Sequence, residues 1–214
     1  VSHLWPWLAV AALGAYHGID PSMGWLFAVA LGLQERSRAR VIWSLFPIAA
    51  GHLISIGVVV ALIAGLRAYV ALSLLRPVGA GALIAFGLFR YIWPRAHPRW
   101  VAMRVNAAEL GLWSFLMATA HGAGLMLFPI LMDMTPAAGT AHMHNVPALA
   151  HGNPILQAIA VVILHTSALL LVMGTIAVVV YDRVGLAILR SAWINLDTIW
   201  AVALIAAGLL SLVL

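Results

Sequence analysis

From Val41 to Leu66 the chain runs without an Asp, Glu, Lys or Arg, and it does so again from Leu110 to Met132 and from Met134 to Tyr181. A helix of roughly 20 apolar residues crosses the hydrocarbon core of a bilayer. Runs of that length with no charge have no hydrated face to turn toward water. Only 8% of the residues are charged and 64% are hydrophobic, whereas soluble domains carry about 25% charged residues. The expected solvent is therefore lipid. The expected fold class is all-α, a polytopic membrane helix bundle, because helices satisfy every backbone donor and acceptor internally. The basic residues are all Arg, so the net charge of +5 is read by its position along the chain and not as a nucleic-acid footprint. No cysteine is present, which excludes disulfides, thiolate metal ligands and thiol catalysis.

About six spans follow from the charge breaks: Leu4 to Leu33, Val41 to Gly65, Leu75 to Trp93, Ala107 to Met132, Pro154 to Tyr181 and Ile194 to Leu214. The first is too long for one straight crossing and carries Gly18-Ile19-Asp20-Pro21 at its middle. Proline removes a backbone donor and Asp prefers a helix cap to a helix interior, so a break is expected there. Arg36, Arg38 and Arg40, then Arg95, Arg99 and Arg104, then Arg183 and Arg190 fall in alternate loops. Those loops share one side, which the positive-inside rule makes cytoplasmic, as in a bacterial inner membrane. Trp5, Trp7, Trp25, Trp93 and Trp100 fall near segment boundaries and read as interfacial anchors.

Counted from the segment ends, His17, His52, His121 and His165 each lie roughly 15–20 Å deep at 1.5 Å per residue. That is near the midplane. Ionisable residues there are costly and face a bundle interior or a cavity, so four at one depth point to a shared site. Neutral imidazoles ligate Zn, Cu, Ni and Co. Asp20 lies three residues after His17 and would share its face if the helix continued. The bland reading is that the histidines are polar packing residues between helices. Ser55 and Ser167, each shortly after a histidine, could be supporting donors, but serine in a membrane helix is mostly packing; Met117, Met126 and Met132 read as core filling; Glu109 and Asp197 read as helix-end residues. His142 and His144, with His151 nearby, form a loop without Lys or Arg, and a His-x-His pair can chelate a divalent ion.

Ala15-Tyr16-His17-Gly18 is similar to Thr119-Ala120-His121-Gly122, and each is followed by one more histidine in the next span. Residues 1–106 and 107–214 thus read as two three-helix halves of one membrane domain. Because the halves enter the membrane from opposite sides, the repeat would be inverted, as in many secondary transporters. His17-Gly-Ile-Asp20-Pro21, the segment Ala50-Gly51-His52-Leu53-Ile54-Ser55, the three-plus-three layout and the histidine-bearing loop together resemble the lysine-exporter superfamily, in particular its nickel/cobalt transporter branch. The likeness covers chiefly the first 60 residues and the layout. Here Pro21 stands where that branch has a His after the Asp, and the first His is closer.

The resemblance implies a permease for a divalent transition-metal ion. The expected site is His17, Asp20, His52, His121 and His165, with His142 and His144 at the loop. Two alternatives stay open: an intramembrane metal-dependent enzyme, and a non-catalytic membrane subunit of a larger assembly, with membrane proteins or copies of itself as partners, whose histidines bind a partner, a pigment or a neighbouring helix. There is no Gly-x-x-x-x-Gly-Lys loop, so nucleotide-driven work would need another chain.

Overall fold

The structure is a computed structural model and describes residues 4–93, 105–133, 154–184 and 196–213. Among the described residues there are eight α-helices and no strand: α1 (Trp5–Ile19), α2 (Trp25–Glu35), α3 (Arg38–Tyr69), α4 (Leu72–Ile92), α5 (Ala107–Ala120), α6 (Phe128–Asp133), α7 (Pro154–Arg183) and α8 (Leu196–Val213). Short 3-10 turns, Pro21–Met23 and Leu125–Leu127, separate α1 from α2 and α5 from α6.

The first break is built as expected. Asp20 leaves the helix with an extended ψ of 119° and its carboxylate accepts from Ser22 N at 2.8 Å. Gly24, at φ 122°, then starts α2. Trp25 differs from expectation. It is buried, not interfacial, and its indole N–H donates to the Ile19 carbonyl at 3.1 Å. Helix ends leave carbonyls without intrahelical partners; inside a bilayer no water reaches them, so the ring is drawn in to cap α1.

A second break, which sequence reading ran straight through, divides the fourth segment. α5 stops at Ala120, Gly122 takes φ 69°, and the two arms are bent by 49°. Only glycine adopts that left-handed conformation cheaply. A Cβ there would also meet Phe86 at 2.8 Å.

Three helices are long and apolar enough to cross a membrane, within α3, α4 and α7, and a fourth span results if the bent α5–α6 pair is counted as one. Their outward faces carry exposed Leu53, Ile54, Leu62, Val78, Ile163 and Leu171. A continuous apolar exterior of this kind suits lipid and would drive aggregation in water. Ion pairs join several helix ends. Arg38 pairs with Asp182 at 3.5 Å, joining the start of α3 to the end of α7. Arg40, paired with Glu35 at 3.1 Å, shares a cavity with Asn106 and Glu109. The α2–α3 junction, the end of α7 and the start of α5 therefore lie at one end. Ser37 caps α3 there and Asn106–Glu109 form a capping box on α5.

Helices from early and late in the chain interlock. α1 lies on α7, α5 lies on α3, and α4 lies on α8, with α3 and α7 also in contact. Small residues permit each close approach. Gly14 sits against the His165 carbonyl and Gly18 against that of Leu169; Gly51 sits against the Gly111 carbonyl. In the third pair the contacts are reciprocal. Gly87 faces Ile205 and the Ala201 carbonyl, while Gly208 faces Ile84 and the Ala80 carbonyl. The eight residues from Ala80 to Gly87 and those from Ala201 to Gly208 share the pattern Ala-x-Ala-Leu-Ile-Ala-x-Gly, so the same surface is presented from both sides of the contact.

Candidate metal centre

Where α1, α3 and α7 meet, His17, His52 and His165 converge, each at most 1% exposed. Their ring centroids lie 5.4 Å (His17–His52), 4.9 Å (His17–His165) and 5.6 Å (His52–His165) apart. One ligand nitrogen from each can be chosen so that all three lie within 4.8 Å of one another. Gly14 and Gly18 occupy the same face of α1 as His17. With no side chains between the backbones, α1 can press onto α7, and this brings His17 to His165.

The bonding of each ring decides which nitrogen is offered. His17 Nδ1–H donates to the Leu13 carbonyl, one turn back, at 2.8 Å. That leaves the Nε2 lone pair as the ligand, in the way that outer hydrogen bonds orient metal-bound imidazoles. His52 and His165 have nearly parallel ring planes, 4° apart, with Nε2 facing Nε2 at 3.5 Å. Tetrahedral zinc with Zn–N bonds of 2.0–2.1 Å separates its nitrogens by about 3.4 Å. The two rings thus stand nearly as far apart as two ligands of one ion. The Nδ1 atom of His52 is buried and has no hydrogen-bond partner among the described residues. Ring nitrogens from all three histidines stand close enough together to hold one ion. Three buried imidazoles fit a borderline transition-metal ion such as Zn, Cu, Ni or Co, and the residues supply no thiolate.

Asp20 and His121 fall outside this triad. The expected single site of four histidines and one carboxylate separates into two clusters. The physical cause is the pair of helix breaks. Asp20 would lie on the face of His17 only in an unbroken helix, and the extended backbone before Pro21 carries its carboxylate to Ser22 instead, where Oδ1 accepts from Ser22 Oγ at 2.7 Å. His121 is the C-cap of α5, where Nδ1–H donates to the Met117 carbonyl at 2.8 Å and Nε2 faces Ser22 Oγ at 3.3 Å. Ser22 was missed by sequence reading. Its signal was the Asp-Pro-Ser order, which commonly makes a side-chain-capped turn.

Ser55 meets Thr119 Oγ1 at 2.9 Å and ties α3 to α5, so it supports the helix contact and not a ligand. Ser167 faces an outer groove beside Gly174 and Thr175, away from the triad. Met117, Met126 and Met132 are buried as core. Glu109 acts as a helix-end residue, as expected. His142, His144 and His151, and the side chain of Asp197, lie outside the described residues. At the arginine-bearing end, an open cavity of about 670 Å³ lies between α2 and α5, lined by Gln34, Glu35, Arg40, Asn106 and Glu109 among others.

Comparison with protein-family models, with characterised proteins and with solved structures finds no match to this chain. Its function is accordingly read from the site.

Proposed function

We propose that this chain is a membrane permease for a divalent transition-metal ion, which the His17–His52–His165 triad binds as cargo. The observation that carries the reading is the convergence of three buried imidazoles from three helices, two of them with facing Nε2 atoms 3.5 Å apart. Moving such an ion through lipid requires ligands that replace its water and then let it go. Neutral imidazoles do this without the near-permanent hold of thiolates.

In this reading six segments span the bilayer, counting the broken α1–α2 and α5–α6 units as one each and α8 as the last. The halves 1–106 and 107–214 form an inverted repeat. Its support is the exchange of partners between halves (first helix on the other half's second, third on third) and the shared Ala-x-Ala-Leu-Ile-Ala-x-Gly surface. Broken helices meeting near the midplane at a repeat interface are a recurrent transporter arrangement. The arginine-bearing end faces the cytoplasm, and the polar cavity between α2 and α5 is the vestibule on that side.

The test uses purified protein, in detergent for binding and in liposomes for flux, with Zn, Ni, Co and Cu supplied in turn. Wild type should bind about one ion, a single-site stoichiometry, and should carry it across the liposome membrane. His52→Ala and His165→Ala should each lose both properties while eluting as folded protein. Unchanged flux in both variants refutes the proposal, and so does an ion that survives exhaustive dialysis without crossing the membrane, which is the mark of a resident metal.

A further inference from the structure

The bonds around Ser22 constrain where protons sit. Serine has one hydroxyl proton, and Ser22 Oγ–H donates it to Asp20 Oδ1 at 2.7 Å. His121 donates Nδ1–H to the Met117 carbonyl at 2.8 Å. The contact between Ser22 Oγ and His121 Nε2 at 3.3 Å is then a hydrogen bond only if Nε2 also carries a proton, which makes the ring an imidazolium balanced by the Asp20 carboxylate. One other arrangement satisfies all three contacts. In it Asp20 is a carboxylic acid donating to Ser22 Oγ, and Ser22 donates to a neutral His121. The two forms have the same protons and the same net charge. They interconvert when the Nε2 proton moves to Ser22 Oγ and the serine proton moves to Asp20 Oδ1, so that one N–H and one O–H bond break and two O–H bonds form.

We propose that Asp20, Ser22 and His121 form a proton-carrying relay, separate from the histidine triad, that spans the two helix breaks. Three further observations fit it. All the bonds to Asp20 among the described residues go to Oδ1, from Ser22 N and Ser22 Oγ, which leaves Oδ2 of a residue only 5% exposed to take or give the proton. Neither Asp20 nor His121 belongs to the group of nitrogens that lie within 4.8 Å. The relay joins the first half's break to the second half's, so relative motion of the halves opens it at the 3.3 Å contact.

Of the elements packed against the Pro21–Met23 turn, α1 brings Tyr16 and His17, α2 has Glu35 only at its far end, and α5 has Glu109 only in its first turn. Around the His121 break, α3 brings His52, and α4 carries buried Arg90 one turn after Phe86, which packs at Gly122. A divalent ion in the triad would repel an imidazolium at His121 and favour loss of its proton, the elementary step of ion–proton exchange. Only this coupling rests on the triad being a cation site; the relay stands on its own bonds.

The experiment uses the full chain in detergent, weakly buffered, with zinc chloride as the probe. Bound zinc is measured by equilibrium dialysis, and released protons by an indicator dye. Wild type should release about one proton per ion bound. Asp20→Asn and Ser22→Ala should keep zinc at the wild-type stoichiometry and lose that release. Release at the wild-type level in Asp20→Asn overturns the relay. So does loss of zinc binding in that variant, because Asp20 would then be a ligand. If wild type itself binds no zinc, the cargo reading fails and the relay is judged on the metal-free protein by infrared spectroscopy between about pH 5 and 8, the range in which histidine titrates. A carboxylic-acid band that Asp20→Asn removes and His121→Gln shifts supports it, and absence of any Asp20-dependent band overturns it.

Discussion

Replacing Gly122 by alanine tests whether the second helix break is required by the fold. Gly122 has φ 69°, and an L-residue held in the left-handed region costs about 1–2 kcal/mol. The new Cβ would also stand 2.8 Å from Phe86 Cε1 and 3.3 Å from Leu204 Cδ2. Overpacking of this kind costs about 1–3 kcal/mol. Together the two effects lower stability by roughly 2–5 kcal/mol, at least a 30-fold change in the folding equilibrium at about 1.4 kcal/mol per decade. The assay is reversible unfolding in mixed micelles, with Gly81→Ala as control, since no atom lies within 4 Å of a Cβ at Gly81. Adding Phe86→Ala separates the two effects, because it removes the clash and leaves the backbone strain. Relative to Phe86→Ala alone, the double variant should then be weaker by about 1–2 kcal/mol. If Gly122→Ala were as stable as Gly81→Ala, the break after Ala120 would not be held by the backbone conformation of Gly122.

Ser55→Ala removes the hydroxyl pair with Thr119 that ties α3 to α5; a loss of about 0.6 kcal/mol is expected, as for other interhelical bonds in lipid, and the same unfolding assay should find zinc binding unchanged. Asn106→Ala removes half of the capping box on α5 and should lower stability by about 1 kcal/mol, with hydrogen exchange rising first in the opening turn of that helix. The alanine variants of His52 and His165 should behave oppositely, with metal binding lost and unfolding near that of wild type.

The first helix break was legible because its residues announce it: Pro21 has no N–H to give, and Asp20 prefers a helix cap, a role in which the structure has it accept from Ser22. The second was not. Gly122-Ala123-Gly124 looks like ordinary packing glycine in a membrane helix, where close approach explains small residues without any break. The left-handed φ of Gly122 and the crowding of that position by Phe86 of α4 and Leu204 of α8 belong to the tertiary structure. Trp25 misled in a similar way. Its place near a segment end suggested the interface, but the unsatisfied Ile19 carbonyl at the break drew the indole inward.

Composition and charge spacing alone pointed to a bundle of apolar helices, since a helix satisfies its own backbone in lipid. Counting residues also gave each histidine an expected position along its helix, because the rise per residue of a helix is constant. Depth is one coordinate only. The direction in which each imidazole points depends on how its helix is rotated, and that is decided by packing: Gly14 and Gly18 let α1 lie on α7, and Gly51 lets α3 lie on α5. Tertiary structure therefore decided that His17, His52 and His165 meet, and that His121 turns instead toward Ser22 and Asp20.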